Sequence, residues 1–590
     1  MNNIELAAIL DEMGTLLEIQ GQNRFRTQAY HNAARALEQL GESVADLVSQ
    51  DRLGEVPGIG QTLKEKVTTL VTTGRLAFYE ALRAQTPPAL LYMLHLPGIG
   101  PKKVQTLHAQ LGITSLEELK AACMDDRVAA LKGFGAKTQQ KILDGIGFLG
   151  QAGKRLRVDQ AQVIADSILE PMRSWRGLSK LELCGSLRRR KETINDLDFL
   201  VCCDDSGPIM DKFAALPGVT QVVGRGETKL SVVFSHRLRA DQGPVTMPVD
   251  LRVVRDDQFP FALHYFTGSK EHNIAVRARA QAYGLKLNEY ELAGPKRQVK
   301  CRDEADLFRA LDLDYIPPEL RENTGELAAA EKHQLPDLVK LDDLTGVFHC
   351  HTDWSDGSAT IAEMAEAARR LGFQYLGLAD HSQSLTVARG LTPARVREQQ
   401  KEIDTINRRM RGFRIFKGIE CDILADGALD FDDDTLATFD YVVASVHSHF
   451  GQSQADMTAR IVRAVSHPYV TMLGHATGRL LLRRDGYKVD LDAVLQAAAK
   501  HGALVEINSD PHRLDLDWIH CKRARELGIR LVINPDAHST EGLDVICYGI
   551  DVARRAWLTS ADILNTRSVD EIAAYLTERK NRAQSLRGLT

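Results

Sequence analysis

Residues 184–201 read CGSLRRRKETINDLDFLV, and this stretch decides the fold of the first half of the chain. The apolar run around Asp196 and Asp198 predicts a strand, on which alternate residues share one face. The two carboxylates are therefore expected to point together, roughly 7 Å apart. A third acid, Asp250, lies in a second strand-like run, VDLRVV. The sequence thus predicts an acidic site on one face of a sheet.

Three converging carboxylates are suited to hold two Mg²⁺ ions, with Mn²⁺ as an alternative, which activate a 3′-hydroxyl and bridge to nucleotide phosphates. The turn at Gly185 and Ser186 offers backbone N–H groups and a hydroxyl to β- and γ-phosphate oxygens. Arg189 is placed to neutralise charge on a leaving pyrophosphate. One pair of alternating acids is often only a solvated strand face, but the ordered set favours nucleotidyl transfer.

The order GS, RR, DxD, D resembles the palm of the family X DNA polymerases, within the nucleotidyltransferase superfamily. GETK at 226–229 and YFTGSKEHN at 265–273 extend the resemblance. It implies a catalytic metal-binding triad of Asp196, Asp198 and Asp250. It also implies that Tyr265, Phe266 and Gly268 line the sugar side of a nucleotide pocket, that Asn273 approaches the base, and that Arg277 contacts the template strand.

Two residues depart from the family pattern. Asn195 precedes the first acid, where the family usually has Gly. Pro248 stands two residues before Asp250, where the polymerase beta type has an Arg that touches the catalytic carboxylates. Neither departure removes a metal ligand, so both bear on rate and fidelity rather than on the reaction class.

The composition is that of a soluble globular protein of several domains. The 590 residues are 44% hydrophobic and 26% charged, with a net charge of −5. No run approaches the roughly 18 apolar residues of a membrane span, and the start lacks a secretory pattern. The nine Cys show no CxxC spacing, which suits a reducing cytoplasm and excludes a zinc ribbon or disulfide scaffold.

Three glycine turns, at 56–67, 96–104 and 131–142, each precede a basic helix start in the N-terminal region. Each resembles a helix-hairpin-helix motif, in which the helix N-terminus holds a DNA phosphate. One copy alone would be an ordinary helix–helix turn, but three copies flanked by lysines favour DNA binding. The predicted contacts are Gly58, Gly60, Gly98, Gly100, Gly133, Gly135, Lys102 and Lys103.

Lys66 has a second candidate role. The first hairpin and its helix resemble the small lyase domain of DNA polymerase beta and its relatives, and Lys66 falls at that family's Schiff-base lysine. An amine of this kind attacks the sugar aldehyde at an abasic site. A surface lysine that touches a phosphate is an equally good interpretation.

The second half concentrates histidine at the ends of apolar runs. Of the 18 His, 11 lie after residue 346, and seven strand-like runs alternate with helices near 347, 376, 415, 442, 471, 504 and 530. Such alternation predicts a parallel barrel, with these side chains at its C-terminal rim. The nine candidate metal ligands are His349, His351, Asp356, His381, Glu420, His447, His475, Asp536 and His538. Cys350 is expected in the core between two of them.

This pattern resembles the PHP (polymerase and histidinol phosphatase) domain, a distorted seven-stranded barrel with a cluster of up to three metals. The resemblance implies that Glu420 bridges two of them. Mixed imidazole and carboxylate ligands suit Mn²⁺, Zn²⁺ or Fe²⁺. Arg479 and Arg513 follow strands and are candidates to clamp a phosphate. His449, His467, His501, His512 and His520 match no ligand position.

The expected fold class is multidomain α/β, in six segments. Strand runs give way to helical character at 256–315, and the paired prolines of 315–326 predict the start of a linker. The segments are a lyase-like helical domain with a helix-hairpin-helix (1–85), fingers with helix-hairpin-helix motifs (86–153), a mixed-sheet nucleotidyltransferase palm (154–258), a small thumb (259–318), a linker (319–345) and the PHP phosphoesterase domain (346–580).

The sequence therefore predicts a monomeric, nucleoid-associated cytoplasmic DNA polymerase that fills short gaps in base excision repair. Its partners would be gapped or nicked double-stranded DNA and deoxynucleoside triphosphates, with no membrane. The PHP domain would act as a 3′-5′ exonuclease or 3′-end phosphoesterase, and the N-terminal region as an abasic-site or deoxyribose-phosphate lyase. Two alternatives stay open: a histidinol-phosphatase-type enzyme for small molecules with a degenerate polymerase half, and a non-catalytic DNA-end scaffold.

Overall fold

The computed structural model describes residues 3–38, 43–56, 58–96, 99–152, 155–238, 243–295 and 297–587. Gly98, predicted to contact DNA, lies outside the described residues. The chain forms two compact units. The first comprises Met1–Arg155, Ala161–Arg189 and Asn195–His333, and the second comprises Leu156–Gln160, Arg190–Ile194 and Gln334–Thr590. None of the described helices is long and apolar enough to cross a membrane.

The first unit begins with nine helices in the described part of the N-terminal region. They are α1 (Asn3–Ile19), α2 (Arg24–Glu38), α3 (Val44–Ser49), α4 (Gln61–Thr73), α5 (Ala77–Ala84), α6 (Pro88–Tyr92), α7 (Pro101–Leu111), α8 (Leu116–Met124) and α9 (Gly135–Ala152). Their apolar faces form two cores. One draws its buried side chains from Leu6 to Leu82, and the other centres on Leu90 to Ile146 with Ile19.

A five-stranded mixed sheet follows. Its strands are β2 (Lys180–Leu183), β4 (Leu197–Cys202), β5 (Val219–Arg225), β6 (Lys229–His236) and β7 (Val245–Val254), in the order β2-β4-β7-β6-β5. Only β4 and β7 run parallel; the other pairs are antiparallel. The sequence missed β5, whose inward-facing residues are only half-buried. Helices α10 (Val158–Met172), α11 (Gly185–Arg188) and α12 (Ser206–Ala214) accompany the sheet, and the short pair β1 (Leu156–Arg157) and β3 (Thr193–Ile194) belongs to the second unit.

The region after the sheet is less helical than predicted. Helices α13 (Phe259–Thr267), α14 (Lys270–Ala282), α15 (Glu304–Arg309) and α16 (Glu326–Glu331) enclose a small sheet of β8 (Lys286–Leu287), β9 (Leu292–Gly294) and β10 (Arg297–Val299). The stretch predicted to begin a linker is packed instead. Arg321 and Glu326 are fully buried, because each forms an ion pair with a buried partner, Glu304 and His272 respectively.

The second unit is a nearly closed parallel barrel, and its seven predicted strands are confirmed. They are β11 (Gly346–Cys350), β12 (Tyr375–Leu378), β13 (Arg414–Asp422), β14 (Tyr441–Ser445), β15 (Met472–Leu473), β16 (Leu504–Asn508) and β17 (Leu531–Asn534), paired in chain order. The first and last strands approach one another where the amide N–H of His351 donates to the carbonyl of Ala537, at 2.8 Å. All strand ends that carry the candidate ligands therefore meet at one rim.

Helices cover the outside of the barrel. They are α17 (Ile361–Arg370), α18 (Pro393–Arg409), α19 (Asp433–Leu436), α20 (Gln454–Val465), α21 (Leu491–His501), α22 (Trp518–Glu526), α23 (Ile546–Arg555) and α24 (Val569–Arg587). Ile572 and Leu576 of α24 share one apolar core with Phe348 and Phe416 of the strands. The barrel interior is thus a packed core, and polar chemistry is confined to the rim.

Candidate active sites

The acids of the first unit meet on the two parallel strands of the mixed sheet. Asp198 of β4 lies directly opposite Asp250 of β7 in the strand register. Asp196 was expected within the strand but precedes it, since β4 begins at Leu197. Burial raises the pKa of Asp196, and the negative charge of the Asp250 carboxylate raises it further.

Two neighbours on β6 balance the charge of Asp250. Lys229 Nζ lies 2.6 Å from Asp250 Oδ2, and the Ser231 hydroxyl donates to Oδ1 at 2.6 Å. Burial, with repulsion from Asp196 and Asp250, raises the pKa of Asp198 to about 7. This group of carboxylates lacks sufficient positive charge of its own, and a divalent cation would supply it.

The Gly185–Ser186 turn lies against these acids. Gly185 has φ +63°, and a Cβ there would come within 2.2 Å of Asp198 Oδ2, so only glycine allows the approach. Gly185 opens the single turn of α11, and the buried hydroxyl of the next residue, Ser186, has no hydrogen-bond partner within the described residues. An unsatisfied buried hydroxyl beside three carboxylates that could hold a cation is suited to a phosphate oxygen.

The arginines of α11 are held more firmly than the sequence suggested. Arg189 donates to the carbonyl of Thr267 at 2.6 Å and forms an ion pair with Glu322 at 3.2 Å. Arg188 forms a bidentate ion pair with the carboxylate of the buried Glu304. Arg189 therefore lies beneath the turn at Gly268, whose missing Cβ would be 3.1 Å from its guanidinium, and would have to exchange partners to reach a phosphate.

The remaining predicted nucleotide contacts lie on α13 and α14. The half-buried rings of Tyr265 and Phe266 meet edge to face at 5.2 Å, and the Arg252 guanidinium lies 4.8 Å from the Phe266 ring. Asn273 donates to the carbonyl of Tyr265, and its buried Oδ1 has no partner within the described residues. Arg277 is half-exposed on α14.

The described hairpin glycines stand where helices begin. Gly60 and Gly100 are the N-caps of α4 and α7, and α9 starts at Gly135. Gly58 and Gly133 have φ of +90° and +92°, and a Cβ at Gly60, Gly100, Gly133 or Gly135 would meet nothing within 4 Å. Lys102 is exposed and Lys103 half-exposed on the first turn of α7. The free N–H groups at these helix starts are therefore open to an anion.

Lys66 occupies an aromatic pocket on α4. Its Nζ donates to the Tyr30 hydroxyl at 2.5 Å and lies 3.8 Å from the centre of the Phe78 ring. These contacts set Lys66 apart from Lys64, two residues earlier on the same helix, which pairs with the exposed Asp51. Sequence reasoning missed Tyr30 and Phe78, because their proximity to Lys66 is purely tertiary.

The structure brings all nine candidate ligands of the barrel together around Glu420. Its carboxylate oxygens lie 2.9 Å from His475 Nε2, 2.9 Å from His381 Nδ1 and 3.2 Å from His447 Nε2. His349 Nε2 is 3.3 Å away and His351 Nε2 3.7 Å away. One buried carboxylate among five imidazoles is an arrangement suited to bind metal ions.

The other acids complete the cluster. Asp536 Oδ1 lies 3.1 Å from His351 Nε2 and 3.6 Å from His349 Nε2. Asp356 Oδ2 lies 3.5 Å from both His381 and His538. Among the described residues the candidates form four overlapping groups, and within each group the potential ligand atoms lie within 4.8 Å of one another. His349 Nε2 is buried without a hydrogen-bond partner in the described structure, as a ligand atom aimed at a cation would be.

The histidines of the cluster differ in charge preference. Burial opposes protonation, but Glu420 and neighbouring acids raise the pKa of His381 to about 10 and that of His447 to about 9. Burial with the adjacent His538 and His381 lowers the pKa of His351 to about 3. Without a cation, protons carried by some imidazoles neutralise the buried acids, and a divalent cation would replace them.

A second layer of carboxylates orients the histidines, and sequence reasoning missed it. Glu506 Oε1 accepts from His349 Nδ1 at 2.5 Å, while its Oε2 accepts from the backbone N–H of His475. Asp422 accepts from His447 Nδ1 at 2.5 Å. The available signal was an acid inside a fully buried parallel strand, where charge is rare unless paired.

The first strand reaches the site through an irregularity. The register between β11 and β12 shifts between Val347 and Cys350, and His349 adopts the left-handed backbone conformation with φ +55°. His349 and His351 still converge, with ring centres 5.3 Å apart, and Cys350 is fully buried as expected. Such non-glycine conformations cost about 1–3 kcal/mol and concentrate at functional sites.

The cluster opens into a cavity of about 260 Å³. Arg513 lines it, with Nε 3.6 Å from Asp536 Oδ2. Arg479, the other candidate phosphate clamp, is committed elsewhere. It pairs with Glu192 at 2.9 Å and donates to the carbonyls of Arg513 and Leu514, so its role is to hold the Arg513 loop.

Several protein-family models match separate segments of the chain. A DNA polymerase beta thumb model matches residues 262–322 and a PHP domain model matches 348–510. A helix-hairpin-helix domain model matches 1–76, and a SAM-like helix-hairpin-helix tandem model matches 90–147.

Among curated relatives, the chain is 37% identical over 98% of its length to the DNA polymerase/3′-5′ exonuclease PolX of Bacillus subtilis, 99% of which is covered. It is 28% identical over 40% of its length to a probable phosphatase of Thermoanaerobacter sp. (strain X514), 95% of which is covered. It is 25% identical over 54% of its length to DNA polymerase lambda of Rattus norvegicus, 56% of which is covered.

Proposed function

The chain belongs to the family X DNA polymerases that carry a C-terminal PHP domain, and we propose that it fills short gaps during DNA repair while its barrel trims 3′ ends. It is a DNA-directed DNA polymerase with a metal-dependent exonuclease. The observation that carries the polymerase proposal is the register of Asp198 opposite Asp250, with Gly185 packed against Asp198.

For nucleotide addition, Asp196, Asp198 and Asp250 would hold two divalent cations, for which Mg²⁺ is the proposed identity. These cations supply charge for the nucleotide phosphates and lower the pKa of the primer 3′-hydroxyl. Ser186 would donate to a phosphate oxygen, and Arg189 would leave Glu322 to do the same. Tyr265, Phe266 and Gly268 would border the sugar, and Asn273 would meet the base.

For DNA binding, the open helix starts at Gly60, Gly100 and Gly135 would hold backbone phosphates without reading sequence. Lys102 and Lys103 add positive charge beside the second of them, and Arg277 would contact the template strand. A gapped or nicked duplex is the proposed substrate. We propose that the protein acts as a monomer at the nucleoid.

For hydrolysis, the nine residues around Glu420 would hold up to three cations, for which Mn²⁺, Zn²⁺ and Fe²⁺ are the proposed identities. Such cations lower the pKa of water and polarise a phosphodiester. Arg513 would neutralise the phosphate, since a guanidinium matches its geometry. The likeness to a probable phosphatase over the barrel is consistent with this phosphoesterase chemistry.

We also propose that Lys66 is a deoxyribose-phosphate lyase nucleophile, because its amine is held against Tyr30 and Phe78 rather than in solvent. Lys66→Ala is expected to abolish borohydride-trapped covalent adducts with a 5′-deoxyribose phosphate, while primer extension stays unchanged. Lys64→Ala, which removes an equivalent amine on the same helix, is the control and should trap normally. Equal trapping by the Lys66 variant would assign the chemistry to another amine.

Purified protein incubated with a gapped primer–template, nucleotides and Mg²⁺ or Mn²⁺ tests the whole proposal. Extension to the gap's end, with shortening of 3′ ends when nucleotides are withheld, is the expected result. Hydrolysis of small phosphomonoesters without extension would instead identify a phosphatase, and binding without either reaction would identify a scaffold.

A further inference from the structure

An exposed apolar side chain stands at the mouth of the metal cluster. Val387 is 89% exposed, the largest value for a large hydrophobic residue in the described part of the chain. It lines the same cavity as Glu420 and Arg513, together with Leu385 and Ala388. Ligand pockets combine apolar lining side chains with a few polar groups, so an apolar side chain on the lining of this polar cavity offers a ligand an apolar contact.

The segment that carries Val387, residues 384–390, is fixed to the cluster. The Ser384 hydroxyl donates to Asp422, the same carboxylate that accepts from His447, and the Ser384 N–H donates to Asp430 at 2.7 Å. Gly390 lies so close to Ser382 that a Cβ would come within 1.9 Å of its carbonyl oxygen. The exposure of Val387 is therefore held in place by packing and hydrogen bonds.

The cavity thus combines three kinds of surface: metal ligands, one guanidinium and an apolar edge. The guanidinium of Arg513 suits a phosphate. The apolar edge suits the flat face of a nucleobase, a contact that tolerates any sequence because every base has such a face. A free phosphate or a small phosphomonoester would leave this edge unused.

We infer that the 384–390 segment is a subsite for the base of the terminal nucleotide, which Val387 contacts while the phosphate lies between Arg513 and the cluster. This inference rests on the proposed exonuclease function. It assigns Val387 to substrate positioning and gives it no part in metal binding or hydrolysis itself.

The experiment compares three substrates: a 3′-terminated DNA strand, the same strand with a terminal abasic analogue, and bis(4-nitrophenyl) phosphate. Val387→Asp is expected to lower kcat/KM on the normal strand by about tenfold. It should leave the strand with the terminal abasic analogue at the wild-type rate. Bis(4-nitrophenyl) phosphate, whose planar rings can also contact residue 387, reports only whether the metal site hydrolyses a phosphodiester. Ile519→Asp, at an exposed residue of α22 away from the cavity, is the matched control and should match wild type throughout.

Equal rates for wild type and Val387→Asp on the normal strand would overturn the inference. So would an equal loss on the normal and abasic strands, since the segment would then serve the metal site and not the base. A wild-type protein that shortens no 3′ end, yet hydrolyses bis(4-nitrophenyl) phosphate, would overturn the proposed exonuclease function and the inference with it.

Discussion

The acidic site of the palm and the barrel cluster both contain several carboxylates, but different groups balance their negative charge. Asp250 relies on Lys229, a half-exposed side chain, and Asp198 has a strongly raised pKa. In the barrel, Glu420 is surrounded by imidazoles, and Glu506 and Asp422 fix two of these in turn. The barrel site is therefore organised without a cation, whereas the palm site would be completed by the cations proposed to accompany its nucleotide.

The largest expected effect is on the palm. Asp198→Ala should reduce nucleotide addition at least about 10³-fold, because one carboxylate serves both proposed cations. DNA affinity should stay nearly unchanged, since it depends on the helical region. Primer extension and a gel-shift titration measure the two quantities. Asp204→Ala, an exposed acid just beyond the same strand, is the control, and extension at the wild-type rate by Asp198→Ala would refute the assignment of the triad.

The second largest expected effect is on metal binding in the barrel. Glu506→Gln should weaken metal binding by roughly 10–100-fold, because it removes the charge that orients His349 and raises its basicity. Metal titration followed by exonuclease activity is the measurement, with primer extension unaffected. Glu541→Gln changes an exposed acid of the same unit and should be silent. Unchanged metal affinity in the Glu506 variant would mean that the cluster holds its shape without this second layer.

A smaller effect is expected for Lys229, which balances the negative charge of Asp250. Because its ion pair with Asp250 competes with a cation, Lys229→Ala should lower the Mg²⁺ concentration for half-maximal extension. Half-exposed pairs contribute about 0.2–1 kcal/mol, so a change of up to about fivefold is expected. An increased Mg²⁺ requirement would show that Lys229 positions Asp250 and does not compete for it.

The smallest effect is on stability. Asp198 holds its proton to about pH 7 in the folded state, so its stabilising contribution is complete below the unfolded pKa near 4 and is lost as pH rises through 7. Asp198→Asn should therefore melt about 2–4 °C above wild type at pH 8 without metal. At pH 4 the variant and wild type should melt at the same temperature. Thermal unfolding in a chelator at both pH values is the measurement. Identical melting at pH 8 would show that the acids do not repel.

The sequence predicted the features that depend on where the barrel strands end. All seven barrel strands followed from apolar runs, and the nine rim residues followed from the six runs that lead into His, Asp or Glu, because parallel strands present their ends at one rim. It did not predict β5 or the short strands β8–β10, because polar and apolar residues do not alternate clearly along them. Nor did it predict Glu506, Glu322 or Lys229, whose partners are distant in sequence and meet only in the folded protein.

The central claim is that one chain carries two independent metal sites, and a crossed assay tests it most directly. Asp196→Ala and the double variant His349→Ala with Asp536→Ala would be compared on one labelled gapped substrate, after melting curves confirm folding. The first should lose extension and keep 3′-end hydrolysis, and the second should do the reverse. Two results for the double variant would contradict the account. One is retained hydrolysis, and the other is loss of extension although the palm is folded.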